Sequence, residues 1–310
     1  MTDLTIVIIN YNTGDLTAAC LESVYKTIKG ISFEIFVVDN ASSDGSAGLI
    51  RSKFPGVNLV ENNENLGFAA ANNQALKIMQ GRYALLLNSD TVLTEDAVNK
   101  LFSFMEGHPE AAMACGQLLN RDGTKQNSMA SFPGLMTLVF NVPLLEFLFP
   151  RRFPGKRHAY SGPIEIDSAI GACLMVRRKA VEQVGLLDER YFFFLEETDW
   201  ALQMKKAGWK IFHVPGAYIY HLQGQSIGHN IRSRVLFYRS RYIYFRKWNG
   251  ALYYSLACLV IFIRLMVNWI FTFLANVLTA GLLRNLRDKL ALYSKLLVWH
   301  FRGCPGQYQG

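Results

Sequence analysis

Several things are scarce in this 310-residue sequence, and each scarcity excludes a class of protein. Its five cysteines, Cys20, Cys115, Cys173, Cys258 and Cys304, are odd in number and scattered, with no CxxC pair and no Cys/His cluster at zinc spacing. That excludes a disulfide scaffold or structural zinc site and predicts free thiols in a reducing compartment. After the first apolar run stands IINYNTGDL, where a dinucleotide-binding GxGxxG would fall, which sets aside a nicotinamide-dependent dehydrogenase. The opening MTDLTIVIINYN has no basic n-region and no cleavage site, so no signal peptide is expected. Internal repeats and low-complexity tracts are missing as well. With 51% hydrophobic and 18% charged residues, the chain reads as neither disordered nor multi-span.

Acid is what the C-terminal quarter lacks most. Residues 231–310 hold 12 Lys/Arg against a single acid, Asp288, whereas residues 1–230 hold 20 Lys/Arg and 23 Asp/Glu. The basic excess behind the net charge of +8 therefore lies wholly at the C-terminus. A nucleic-acid binder carries such charge on its folded domain, so no nucleic-acid partner is expected. Basic residues beside an apolar stretch suit anionic lipid. From Trp248 to Leu283 the one charge is Arg264, and the 19 uncharged residues 265–283 are just enough to cross a hydrocarbon core of ~30 Å. Both flanks are basic (Arg239, Arg241, Arg246 and Lys247 before; Arg284, Arg287, Lys289 and Lys295 after), which keeps both on the cytoplasmic side. An interfacial or re-entrant helical pair satisfies this; one clean span does not. The reading is a peripheral or monotopic protein on the cytoplasmic face of the inner membrane. The alternative is an apolar helical hairpin packed on the rest of the chain or on a homodimer partner.

What is present begins with LTIVIIN (4–10), FEIFVVD (33–39) and YALLLN (83–88), continuous apolar runs that suit parallel strands covered on both faces. Helices are predicted between them at 15–28, 44–53 and 68–80. The βαβαβ order implies right-handed crossovers and an α/β doubly wound sheet, which binds ligands at the carboxyl ends of its strands. Those ends read Asn10-Tyr11-Asn12, Asp39-Asn40 and Asn88-Ser89-Asp90. Residues 120–165 are irregular, rich in Pro, Gly and Arg, and carry an apolar patch, LMTLVFNVPLLEFLF; a loop that long is functional or disordered. The pattern resumes with IDSAIGACLMVRR, helices near 178–184 and 198–207, and short strands at WKIFHVP and AYIYHLQ. The predicted division is 1–230, split near 119 into two halves, and a basic, apolar helical region 231–310.

Transfer of a sugar from a nucleoside diphosphate demands a bound base, a cation on the diphosphate and a base for the acceptor hydroxyl. Asp90, at the tip of YALLL, suits a cation that shares its oxygen ligands with phosphate, Mg2+ or Mn2+; the plain alternative is a turn aspartate. Asp39 at the tip of VVD suits base N–H or ribose hydroxyls, and Tyr11 suits stacking, against an ordinary surface aromatic. Glu196, Glu197 and Asp199 open a helix, where carboxylates are held ionised. One of them is the candidate proton acceptor, against simple capping with Thr198 as N-cap. His221, ending AYIYH, is a structural histidine or a ligand of cation or diphosphate.

Taken in order, IVIINYN, VVDNASSDGS, NENLGFAAANNQAL, LLLNSDTVL, GACLMVRRKAVEQVGLLDERYFFFLEETDWALQMKKAGWK and AYIYHLQGQSIG resemble the family-two inverting glycosyltransferases of the GT-A fold. The nearest flavour is the rhamnosyltransferase-like branch. The resemblance covers about 1–230, interrupted at 120–165, and implies a Rossmann-like mixed sheet followed by a C-terminal helical membrane-associated tail. It implies that Asn10, Tyr11 and Asp39 bind the nucleotide, that Asn65, Gly67 and Asn72 line the donor side, and that Asp90 is the last acid of a DxD motif. It further implies Glu197 as catalytic base, with Glu196 or Asp199 able to share that role or contact substrate, and His221 as a contact of metal or diphosphate. Two positions depart from the family pattern: Asn88 replaces the first acid of DxD, and Glu197 stands where Asp is commoner. The expected donor is a nucleoside-diphosphate sugar such as dTDP-rhamnose or a UDP-sugar, and the acceptor a saccharide on polyprenyl diphosphate, in cell-surface polysaccharide synthesis. The rival reading, supported by Asn88, is a non-catalytic sugar-nucleotide-binding or scaffold subunit of a membrane assembly complex.

Overall fold

The computed structural model describes residues 2–222 and 231–304. Part of the AYIYHLQGQSIG segment, 223–228, lies outside the described residues. The chain divides into two compact units, one of Met1–Phe132 with Glu146–Ser226, the other of Pro133–Leu145 with Ile227–Gly310. This differs from a cut at 230: part of the irregular region, 133–145, groups with the C-terminal helices.

The first unit opens with β1 (Leu4–Asn10), α1 (Gly14–Thr27), β2 (Phe33–Asp39), α2 (Ser46–Lys53), β3 (Asn58–Glu61), α3 (Phe68–Leu76) and β4 (Tyr83–Asn88). Strands β1, β2 and β4 coincide with the three apolar runs. The four strands run parallel in the order β3-β2-β1-β4. Ile6, Ile8, Val37, Leu85 and Leu86 are almost wholly shielded from water, as expected of strands covered on both faces. β3 escapes the sequence reading because NLVE is short and half polar.

Past β4 the sheet ceases to be purely parallel. The chain continues through β5 (Thr91–Leu93), α4 (Ala97–Gly107), β6 (Ala111–Leu119), β7 (Met129–Ala130), α5 (Leu135–Val139), α6 (Val142–Leu148), β8 (Ile164–Glu165), β9 (Ser168–Ala169), β10 (Cys173–Arg177), α7 (Arg178–Val184), α8 (Glu196–Lys206) and β11 (Lys210–His221). β10 is antiparallel to both β4 and β6, and β11 runs parallel to β6 and antiparallel to β5. The sheet order β3-β2-β1-β4-β10-β6-β11-β5 is the mixed sheet that the GT-A resemblance implies, and the purely parallel order read from the first strands ends at β4. The two predicted strands are one, β11, which takes in KIFHVP and AYIYH and has an irregular register between Val214 and Tyr218. There the Ala217 carbonyl presses on β6, and a Cβ at Gly116 would stand 2.3 Å from its oxygen. A glycine is required for that approach, and the approach sets the course of β11 towards His221.

The second unit comprises α5, the start of α6, and α9 (Ile231–Trp248), α10 (Ala251–Leu278) and α11 (Arg284–Phe301). Val235, Leu265, Leu296, Leu297 and Trp299 form its core. α10 is one continuous helix of 28 residues, long and apolar enough to cross a membrane, with 17% of its most apolar window buried. Ala257, Ile261 and Leu265 face inward at a spacing of four, while Leu252, Leu256, Leu259, Ile263, Val267 and Ile270 form an exposed stripe.

Candidate active site

Register brings the polar strand tips together. Asn10 lies beside Asp39 across β1 and β2, and Ile9 beside Asn88 across β1 and β4. Asn10 is wholly buried and saturated. Its Nδ2 donates to Asp39 Oδ1 at 2.5 Å and Ser42 Oγ at 3.0 Å, and its Oδ1 accepts from Thr13 at 2.9 Å and Thr17 at 2.7 Å. With both protons and both lone pairs used, Asn10 fixes Asp39 and has nothing left for a ligand. The Ser42 amide donates to Asp39 Oδ2 at 3.0 Å, so the aspartate is locked at 3% exposure. Tyr11, the residue after Asn10, is 41% exposed.

The turn at 62–67 is organised by Asn40, a strand-end residue to which the sequence reading gave no role. Its Nδ2 donates to Asn65 Oδ1 at 2.9 Å, and its Oδ1 accepts from the Leu66 amide at 3.0 Å and Asn62 at 3.1 Å. Asn65 Oδ1 also accepts from the Gly67 amide at 3.0 Å. Gly67 has φ +85°, and a Cβ there would meet the Phe192 carbonyl oxygen at 2.5 Å. Asn65 and Gly67 thus build a turn that lets the 192–195 loop close on the start of α3, where the Phe68 amide donates to Phe192 O at 2.8 Å. Asn72 is buried, with a side-chain oxygen that accepts no hydrogen bond.

Asp90 is 3% exposed, and its Oδ1 is buried without a hydrogen-bond partner. His221 Nε2 stands 3.4 Å from that oxygen. The pair meets because His221 lies opposite Thr91 where β11 runs antiparallel to β5, and the Leu222 amide donates to Asp90 O at 2.8 Å. Gln126 holds the histidine twice, through Nδ1 at 2.9 Å and through the His221 carbonyl at 2.6 Å. Nothing in the sequence marks Gln126, since the contact joins positions 95 residues apart. An orphaned carboxylate oxygen facing a clamped imidazole is a donor set for a divalent cation. Among the described residues no three His, Cys, Asp or Glu side chains gather, so such a cation would draw its remaining ligands from elsewhere.

Before α8 the backbone is strained: Phe194 and Leu195 adopt left-handed φ values of 72° and 67°. Such strain persists where surrounding structure over-determines it, often beside functional groups. The strain also corrects the helix start, for α8 begins at Glu196 with Leu195 at the N-cap, so Thr198 is not the cap. Glu196 is buried, with one carboxylate oxygen unpartnered. Burial raises its pKa, and the neighbouring Glu197 raises it further. Burial pushes Glu197 up to about 7, against backbone amides that favour the charge. Glu197 lies over the chain before β10: a Cβ built at Gly171 would be 3.6 Å from its Cγ, and the adjoining Ala172 carbonyl accepts from the Asn88 amide at 2.9 Å. Half-buried Asn88 and Glu197 therefore flank the same strand end. Asp199 is different. It is fully buried, receives Tyr191 at 3.2 Å and Gln203 at 2.6 Å, and serves the interior of the fold rather than a ligand.

The glycosyl transferase family 2 model matches residues 5–185, more than half of the chain. The chain belongs to this family. Its mixed sheet also resembles a solved GT-A structure, the mannosyltransferase PcManGT from Pyrobaculum calidifontis in complex with GDP-Man and Mn2+. That likeness has a TM-score of 0.57 and 16% identity, covering 96% of this chain and 87% of that one. At that identity it speaks for the fold alone. Among curated relatives, the N-acetylglucosaminyl-diphospho-decaprenol L-rhamnosyltransferase of Mycobacterium tuberculosis is 29% identical, covering 79% of this chain and 84% of its own length. An Escherichia coli UDP-Glc:alpha-D-GlcNAc-diphosphoundecaprenol beta-1,3-glucosyltransferase, WfaP, is 35% identical across 33% of this chain and 41% of its own. As a family 2 glycosyltransferase, the chain holds every strand-tip residue named above within its first unit.

Proposed function

We propose that the protein transfers a sugar, with inversion and with the help of Mg2+ or Mn2+, from a nucleoside diphosphate to a hydroxyl of a saccharide carried on polyprenyl diphosphate. The observation that carries this reading is that Asp90 Oδ1, which lacks a hydrogen-bond partner, faces His221 Nε2 at 3.4 Å just past the end of β4, while β2 ends in Asp39 and Glu197 lies over Gly171 before β10. Asp39, fixed by Asn10 and Ser42, receives the base or ribose, and exposed Tyr11 stacks on the base. Asp90 and His221 would hold the cation, which when bound neutralises charge on the departing diphosphate. Glu197 takes the proton of the acceptor hydroxyl as its oxygen bonds to the anomeric carbon. The bond from that carbon to the diphosphate oxygen breaks, and the electron pair leaves with the nucleoside diphosphate. A carboxylate lifted to about 7 is matched to such a proton transfer at neutral pH.

The lipid-linked acceptor is supported by the named substrates of the two curated relatives and by the exposed stripe of α10, which suits an acyl-chain boundary. A helix lying in the interface keeps both basic flanks and Arg264 near headgroups, so the reading is monotopic attachment at the cytoplasmic face. Donors to be compared are dTDP-rhamnose, UDP-sugars and GDP-sugars. The test is turnover of purified protein with manganese, read as released nucleoside diphosphate with a prenyl-diphosphate-linked acceptor. Full turnover in both Asp90→Ala and Glu197→Gln would rule the assignment out, and donor binding without turnover under all conditions would favour the scaffold reading raised by Asn88.

A further inference from the structure

The second unit contains a cavity of about 270 Å³ between α5, α9, α10 and α11, and its chemistry is unlike that of the apolar helices around it. Three arginines line it: Arg234 and Arg241, two turns apart on α9, and Arg264 at the middle of α10. Tyr238, Tyr293 and Asn268 complete its polar wall. Among the described residues no acid answers these cations. Segment 133–145 has none, and the single acid of 231–310, Asp288, lies 3.9 Å from Arg284. Among the described residues Arg264 donates to neutral groups, the Leu138 carbonyl at 2.5 Å and Asn141 Oδ1 at 2.9 Å, which anchor its charge without cancelling it. Arg241 stacks on Phe237, 4.5 Å from the ring centroid, and its Nε is buried with no hydrogen-bond partner. Burial, with Arg264 adding to it, pulls the Arg241 pKa below the usual guanidinium range. Leaving a buried guanidinium proton unmet is costly unless a ligand meets it.

We propose that this cavity binds the diphosphate of a prenyl-diphosphate lipid through Arg234, Arg241 and Arg264. Three uncompensated guanidiniums match the charge of a diphosphate better than the single charge of a phospholipid phosphodiester, and forked N–H groups match its oxygens. The lipid source follows from Arg264 sharing α10 with the exposed apolar stripe, where Ile263 is 50% exposed. This assignment rests on the membrane-bound, lipid-linked acceptor reading above and adds a site to it.

The experiment is flotation of the full chain with phosphatidylcholine vesicles in three forms: plain, doped with a small mole fraction of undecaprenyl diphosphate, and doped with phosphatidylglycerol to equal charge. The expected result is binding to all three, tighter on the order of tenfold with undecaprenyl diphosphate. That gain should vanish in Arg241→Gln and in Arg234→Gln, the latter at an exposed position whose change cannot unfold the unit. It should survive in the double variant Arg232→Gln, Arg302→Gln, which removes two exposed charges outside the cavity. Binding to all vesicles equally, or to both doped forms equally, would overturn the cavity assignment while leaving the membrane reading intact. Loss in Arg241→Gln but not in Arg234→Gln would overturn it too. Inorganic diphosphate that displaces the protein at equal concentration would overturn the lipid source. No binding to any vesicle would sink the membrane reading along with this one.

Discussion

In the sheet unit Ile6, Ile8, Leu85 and Leu174 have no contact with water, whereas along α10 Leu252, Leu259 and Val277 are each more than half exposed. The polar groups show the reverse contrast. Asn10, Asp39 and Asp90 in the sheet unit are buried, the first two held by named partners and the third facing His221, while the C-terminal helices carry many basic residues and one acid. A unit that hides its apolar side chains and fixes its polar ones holds those polar groups preorganised, as electrostatic catalysis requires. A helix that displays its apolar face is built for another solvent. One apolar-rich chain thus holds two solutions of the hydrophobic effect, with water outside the first unit and, on our proposal, lipid outside the second.

Variants in the sheet unit should act on chemistry with little change in attachment. The largest expected effect is Asp90→Ala, a loss of turnover on the order of 10³-fold with an unchanged melting temperature and unchanged vesicle binding. Glu197→Gln should follow, with a drop of roughly 10²- to 10⁴-fold in kcat and little change in donor affinity, read by steady-state kinetics and donor titration. Equal loss of vesicle binding in either variant would break the division of labour.

Truncating a leucine sharpens the comparison directly. Leu85→Ala, in the core, should cost about 2–5 kcal/mol of stability, measured by denaturant unfolding. Leu259→Ala, on the stripe, should leave unfolding unchanged while weakening vesicle partitioning about tenfold. Destabilisation by both would place the stripe inside the folded protein.

Smaller effects follow from the raised carboxylates. If Glu197 is the proton acceptor, kcat/KM rises with pH through about 7 and levels off above it, with no such limb in Glu197→Gln. The sign for stability is opposite. A carboxyl with its folded pKa raised above the unfolded value stabilises the fold fully below the unfolded pKa, and that contribution is lost as pH rises through about 7. At pH about 8 Glu197→Gln should therefore melt higher than the parent, on the order of 3 °C, and the gain should disappear at pH about 4.

Much of the site was legible before any coordinates. Apolar runs ending in Asn, Asp and Ser mark strand tips because a strand covered on both faces tolerates polar residues at its ends alone. Asp39 and Asp90 were singled out that way, His221 as the end of AYIYH, and Glu197 as part of an acidic helix start. Asn40 had a signal, adjacent to Asp39, yet its role needed the fold of 62–67 around it. Gln126 had no signal at all. Asp199 belonged to the same acidic cluster as Glu197 and differed in facing Tyr191 and Gln203.

The sequence by itself determined the parallel start of the sheet, the polar strand ends, the acidic helix start and the charge asymmetry, because each is a local pattern with a short period or a simple count. Tertiary structure alone decided that β10 enters the sheet antiparallel, that residues 133–145 group with the C-terminal helices, that Asn10 and Asp199 are consumed by internal hydrogen bonds, and that three arginines share one cavity. Those outcomes depend on which distant side chains compete for the same buried lone pair or the same space, and position along the chain does not encode that competition.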